Sequence, residues 1–184
     1  MINFFKNKKR YFIKIITKIN APKELVIWNI LDFAHVNWVH KKHFKNAQVH
    51  EKKGHKTKLS YEINHNFFFK IPFIKQNSKT YLFDYEYLPP NIVTAEASYK
   101  NFYYKTTQTV NEYDNSKEVS ELIYELESEI PIYLHIFKPL INIYIKLWHY
   151  TLRKEESEMI ERRYKVLKCG FKDFSLDVLP YNYK

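Results

Sequence analysis

Residues 118–148, EVSELIYELESEIPIYLHIFKPLINIYIKLW, contain the change of pattern on which the fold turns. Up to Ser128 the segment has the alternating, β-branched and aromatic character of a half-buried strand. After Pro131 the alternation stops, and from Ile132 to about Lys168 the chain has no glycine and reads as helix. Pro139 is expected to kink that helix or divide it in two, because it lacks an amide donor and its ring clashes with the preceding turn. Cys169-Gly170 is expected to end it, with Gly170 free to take a left-handed conformation.

Upstream of this boundary the strand pattern extends back to about Phe44. AQVHEK (47–52), KTKLSYEINH (56–65), KTYLFDYEYL (79–88), NIVTAEASY (91–99) and YYKTTQTVNEY (103–113) are separated by turn chemistry. The breaks fall at Lys53-Gly54, Gln76-Asn77-Ser78, Pro89-Pro90-Asn91 and Asp114-Asn115-Ser116. Alternation is clearest where Thr80, Leu82, Asp84 and Glu86 oppose Tyr81, Phe83, Tyr85 and Tyr87. The sum is an antiparallel meander. Before it, Tyr11 to Ile19 reads as a further strand, and Asn20-Ala21-Pro22 as a turn that starts a helix. Asn20 is expected to cap the exposed amides, with Pro22 in the first turn and Glu24 near the positive end of the dipole. Leu25, Val26, Trp28, Ile30 and Leu31 make that helix mostly apolar.

A chain of 184 residues suffices to close one core. One domain over 1–184 is expected, with a basic amino-terminal tail at 1–10 and a carboxy-terminal tail at 171–184. The 45% hydrophobic and 18% aromatic content excludes a disordered chain. A net charge of +10 invites a polyanion, but the lysines are scattered, and a Lys-, Asn- and Ile-rich composition is what an AT-rich genome produces. Nucleic acid is therefore not the expected partner. Tyr99, Tyr103 and Tyr104 with Lys100 and Lys105 fit cavity wall and solvent face better than a base-stacking platform. Cys169 is the single cysteine, which excludes an internal disulfide and an intrinsic iron-sulfur cluster and fits a reducing, cytoplasmic setting. The amino terminus does not have the pattern of a signal peptide. The apolar run Ile130 to Trp148 is too broken by His135, Lys138, Pro139, Asn142 and Lys146 to span a bilayer. It reads as a cavity wall or gate before a surface for peripheral membrane contact, because its polar residues do not form one basic face.

Strand, one or two short helices, about six strands and a long terminal helix: this order resembles the helix-grip fold of the Bet v 1, START and polyketide-cyclase (SRPBCC) superfamily, over almost the whole chain. The resemblance implies an α+β fold in which a curved antiparallel sheet of about seven strands wraps the last helix, with two short helices after the first strand. It also implies an apolar cavity for a hydrophobic small molecule, lipid, polyketide or isoprenoid, bound by a carrier or turned over by a cyclase.

One stretch narrows the resemblance. DFAHVNWVH, residues 32–40, is similar to the Asp-x2-His-x4-His motif in the catalytic domain of Rieske-type aromatic-ring-hydroxylating oxygenases. Asp32, His35 and His40 match it, Asn29 and Trp38 resemble its surroundings, and Asn29 stands three rather than four residues before the Asp. The resemblance implies that His35 and His40 hold a mononuclear ferrous ion, with a carboxylate of the last helix as third ligand, for which Glu156 is the candidate. Zinc suits the same donors. Asp32 would then orient a ring or relay electrons, with Asn29 beside it. Because His35 and His40 lie about 140 degrees apart on an ideal helix, the helix must bend or end between them, and Asn37 is a plausible place. The expected reaction is oxidation of a hydrophobic small molecule in the cavity; without the Rieske cysteines, either a separate ferredoxin or Rieske protein supplies its electrons, or the iron or zinc serves chemistry that needs no electron input. The alternative is that the imidazoles line a metal-free pocket. Trp38, Tyr85, Tyr103 and Trp148 are the expected cavity-lining aromatics.

Overall fold

The computed structural model describes residues 8–63, 79–99 and 102–170. Among these, β1 (Lys8–Ile19) leads into α1 (Lys23–Leu31), a 3-10 turn (Phe33–His35) and a single-turn helix α2 (Val36–Val39). Five strands follow in hairpin succession: β2 (Phe44–Lys53), β3 (Lys56–Ile63), β4 (Lys79–Leu88), β5 (Ile92–Tyr99) and β6 (Phe102–Tyr113). The last strand, β7 (Ser116–Pro131), passes through a 3-10 segment (Ile132–Phe137) into the long α3 (Lys138–Lys168).

The strands form one antiparallel sheet in the order β1-β7-β6-β5-β4-β3-β2. The two helices after β1 therefore carry the chain from one edge of the sheet to the other. β7 shows why the sheet is curved around α3. Leu122, Tyr124, Leu126 and Ile130 are buried toward the helix, while Glu125, Glu127 and Glu129 face outward opposite β1. There they pair with Lys14, Arg10 and Lys8. Lys105–Glu96, Lys58–Asp84 and Lys56–Glu86 extend the same pattern across the other strands. Part of the basic charge is thus cross-strand pairing on a solvent face, each exposed pair contributing little to stability.

Two tight turns use the expected residues. Gly54 has φ of 55°, and Asp114 and Asn115 lie at φ of 52° and 57°, the left-handed region that hairpin turns require. Gly170 ends α3 at φ of 82°, and its amide donates to the Leu167 carbonyl. The turn expected at Gln76-Asn77-Ser78 lies outside the described residues.

The tight core occupies one end of the grip. Ile19, Leu25, Val26, Ile27 and Trp28 meet Val93, Val110, Leu122 and Ile160, which packs α1 between the sheet and the second half of α3. Ser120 Oγ donates to the Ala21 carbonyl at 2.6 Å inside this contact. At the other end Ile141 and Ile145 of α3 pack on Tyr11, Ile13, Tyr124 and Leu126 of β1 and β7, and a cavity lies between the helix and the remaining strands.

Several expectations need correction. Asn20 does not cap α1, which begins beside Pro22 with no side-chain cap; the Asn20 amide groups bind Glu161 of α3 instead. Lys8, Lys9 and Arg10 are not a tail, because their register with β7 makes them the start of β1. Pro139 marks the expected division of the run from Ile132, into the 3-10 segment and α3, but it does not kink α3 itself. It sits in the first turn of α3, where a missing amide costs nothing, and the preceding residues form the separate 3-10 segment.

The core assignment predicts a contrast within one helix. Ile160→Ala should cost about 2–5 kcal/mol in urea unfolding, whereas Leu140→Ala on the outer face should cost under about 0.5 kcal/mol. Equal losses would mean that the second half of α3 does not anchor the fold.

Candidate functional site

The helix ends between His35 and His40 as expected, but at Val39 rather than at Asn37, so that His40 lies outside the helical region (φ −100°, ψ 23°). Asp32 leaves the helical region (φ −81°, ψ 79°), and the chain re-enters as the 3-10 turn and α2. Asn37 is the clip for this geometry: its Nδ2 donates to the Ala47 carbonyl at 3.0 Å, and its Oδ1 accepts from the Ala47 amide at 2.8 Å, fixing α2 to β2. Both imidazoles are buried as a result, with ring centroids 5.3 Å apart.

Glu156 of α3 meets them. His40 Nε2 lies 3.2 Å from Glu156 Oε1, and one donor atom from each of His35, His40 and Glu156 falls within 4.8 Å of the others. His40 Nδ1 lies 3.2 Å from Glu155 Oε2, so both ring nitrogens face carboxylates. A neutral imidazole has one N–H and a carboxylate has none. Both contacts are satisfied together only with one further cation, a second proton or a metal ion, at one of the two ring nitrogens.

A buried guanidinium completes the cluster. Arg153 donates to Glu156 in a close ion pair, to Gln108 Oε1 at 2.9 Å and to His149 Nε2 at 3.2 Å. Burial favours the neutral acid at Glu156, but Arg153 and the His40 contacts outweigh it and hold the carboxyl at about 2. Burial first, and Arg153 second, push His149 down to about 3, which leaves its ring neutral and able to accept from Arg153. Burial also lowers His35, with Glu156 partly opposing it. His35 Nδ1 is buried without a hydrogen-bond partner among the described residues.

This cluster closes one end of a cavity of about 470 Å³ between sheet and α3. The walls are aromatic and aliphatic: Phe33, Phe44, Tyr61, Phe83, Tyr85, Tyr104 and Tyr124 on one side, and Ile141, Ile145, Trp148 and Leu152 from α3 on the other. Ala95 and Ala97 leave room at the centre of the sheet. The Tyr104 and Tyr124 hydroxyls are 3.0 Å apart and those of Tyr61 and Tyr85 3.4 Å. Burial raises all four, Tyr124 to about 12, so each keeps its proton.

Of the expected site residues, His35, His40, Glu156, Tyr85 and Trp148 line this cavity. Trp38 does not; it points out from the single-turn α2 and is 80% exposed. Tyr103 does not either, because strand alternation turns its neighbour Tyr104 inward. Asp32 and Asn29 stand behind the cavity wall. Arg163 donates to Asn29 Oδ1 at 3.2 Å and to Asp32 Oδ2 at 3.3 Å while lying over the Trp28 ring. Asp32 Oδ2 is 3.9 Å from His35 Nδ1, within ion-pair range but beyond a hydrogen bond. Sequence reasoning missed Arg153, Gln108 and His149. The spacing of His149, Arg153 and Glu156, four and then three residues on one helix face, is the signal that was available.

No protein-family model and no curated protein matches this sequence. Solved structures match the fold. ZhuI aromatase/cyclase from Streptomyces sp. R1128 aligns with a TM-score of 0.66 at 8% identity, over 84% of this chain and 96% of its own. Norcoclaurine synthase from Thalictrum flavum, in complex with dopamine and hydroxybenzaldehyde, aligns with a TM-score of 0.59 at 14% identity, over 84% and 88%. A START superfamily protein from Mycobacterium smegmatis aligns with a TM-score of 0.61 at 15% identity, over 82% and 97%. With its seven-stranded antiparallel sheet curved around one long terminal helix, this chain has the helix-grip fold of the Bet v 1, START and polyketide-cyclase superfamily.

Proposed function

We propose that this protein binds a hydrophobic, ring-containing small molecule in the cavity and holds its polar end against the His40, Arg153 and Glu156 cluster. The observation that carries the reading is the cavity itself: about 470 Å³ of aromatic and aliphatic wall ending in a buried charged group. Such a combination of apolar enclosure and a few convergent polar groups is the usual form of a small-molecule site. Two of the similar structures support it by name, one an aromatase/cyclase and the other a synthase holding two aromatic molecules. At 8% and 14% identity the likeness carries the fold, so the ligand class rests on the walls.

The residues suit acid-base work on such a ligand. Protonated Tyr104 and Tyr124 offer hydroxyls, and Arg153 is a fixed cation that favours negative charge developing on a ligand oxygen. A second proton on His40, carried by Nε2 toward Glu156 Oε1, would face the cavity end. Its transfer to the ligand leaves a neutral imidazole still donating through Nδ1 to Glu155. A pure carrier would use the same groups only as polar contacts.

A second reading is favoured by the donor set. His35, His40 and Glu156 suit a divalent cation, Fe(II) or Zn(II), and the unpartnered His35 Nδ1 and the His40–Glu156 approach fit one. Such an ion would supply Lewis-acid or redox chemistry at the cavity end. Arg153 would compete with it for Glu156. Oxygenase activity with a separate ferredoxin or Rieske donor rests on the DFAHVNWVH motif alone, and the cavity adds nothing to it.

Three outcomes are expected. Ala97→Trp should fill the cavity, remove any co-purifying small molecule from native mass spectra and weaken binding of a hydrophobic fluorescent probe by about tenfold or more; unchanged binding would place the ligand elsewhere. If the second reading holds, anaerobic titration with Fe(II) or Zn(II) should give about one equivalent bound and a raised melting temperature, both lost in the His35→Ala, His40→Ala double variant. An equal response in the variant would contradict it. Stability should also fall on acidification. His149 is depressed to about 3 in the folded state, so the unfolded chain binds the extra proton between about pH 6.5 and 3, and stability is lost through that window. His149→Gln, which keeps an acceptor for Arg153, should flatten urea-unfolding stability across it; an unchanged slope would show that His149 is not the titrating group.

A further inference from the structure

The first half of α3 is apolar on both sides. Its inner face supplies Ile141, Ile145 and Trp148 to the cavity wall. On the outer face Leu140, Ile143, Leu147 and Tyr150 repeat at spacings of three and four, exposed by 64, 55, 52 and 68%. Ile136, 81% exposed in the preceding 3-10 segment, extends the row. Isolated exposed apolar residues are ordinary, but a continuous row of five marks a contact surface.

Charge decides what covers it. Between Glu129 and Glu155 there is no Asp or Glu, while Lys138, Lys146 and Lys154 are exposed along the same stretch. A second copy pairing through this row would bring those lysines together with no acid in the stretch to offset them. An anionic bilayer complements both features, taking the apolar side chains at the acyl boundary and the ammonium groups at the headgroups. Among the described residues no helix is long and apolar enough to cross a membrane, so the contact is peripheral.

We propose that the outer face of α3 docks this protein on an anionic lipid surface, placing the cavity wall at the membrane so that a lipid-soluble ligand exchanges between bilayer and cavity. The exchange rests on the ligand-binding reading above; the docking does not.

The test is sedimentation with phosphatidylcholine vesicles, with and without phosphatidylserine, at low and high salt. The wild type should partition at least about tenfold more strongly onto the anionic vesicles, and salt should weaken it. The Leu140→Glu, Leu147→Glu double variant, altered at exposed sites and checked for an unchanged melting temperature, should lose that binding. Equal binding by wild type and variant would overturn the proposal by assigning attraction to charge elsewhere. Absence of vesicle binding, with concentration-dependent dimers that the variant abolishes, would overturn it in favour of a second copy. Native mass spectra keep the two readings apart: a variant that loses docking but retains a cavity ligand leaves ligand binding intact, and a wild type that docks but carries no ligand leaves the docking intact.

Discussion

The site depends on one buried cation. Taking the Arg153 guanidinium out of water is costly, and it stands inside an otherwise apolar cavity only because Glu156, Gln108 and His149 each accept a hydrogen bond from it. Those three contacts fix more than the arginine. They tie the middle of α3 to β6 through Gln108, keep Glu156 ionised against its burial, and add to the burial that keeps His149 neutral. Glu156 in turn reaches His40, whose other nitrogen reaches Glu155, so the polar end of the cavity is a single connected network. Removing any member leaves a buried charge or donor without its partner, and satisfied networks of this kind are therefore rigid.

The network holds the middle of α3. Toward its carboxy-terminal end the helix is clamped by the α1 core around Val26, Trp28 and Ile160. Toward its amino-terminal end it rests on the β1–β7 edge through Ile141 and Ile145, with Tyr11 Oη donating to Asn142 Oδ1 at 2.6 Å, and bridges the cavity over the other strands. The same helix thus serves as anchor at one end and as cavity wall at the other. Ala95 and Ala97 matter to this division, since larger residues at the centre of the sheet would fill the space that the helix leaves.

Much of the architecture was legible because its signals are local. Strand alternation, the Gly54 and Asp114-Asn115 turns and the glycine-free run to Lys168 each depend on near neighbours, and together they give the order of the fold. His35, His40 and Glu156 were found through a motif and a helix, and they converge. What failed depended on tertiary context. Asn20 has the right chemistry for a cap but finds Glu161 across the fold. Trp38 sits within the motif yet points away, because a one-turn helix holding His35 and His40 inward has its remaining face in solvent. Tyr103 and Tyr104 are indistinguishable until the strand register assigns their faces. Arg153 was hidden in a charged helix segment whose ordinary reading is a solvated face, and only the sheet opposite shows that it is buried.

The most direct measurement is a crystal structure of the protein as purified from its native host, with attention to the cavity between Tyr124, Ala97 and Trp148. The account predicts continuous density for one small molecule along the aromatic walls, its polar end within hydrogen-bonding distance of His40 or Arg153. A cavity holding only scattered water, or closed by side chains that fill the space beside Ala97, would contradict it.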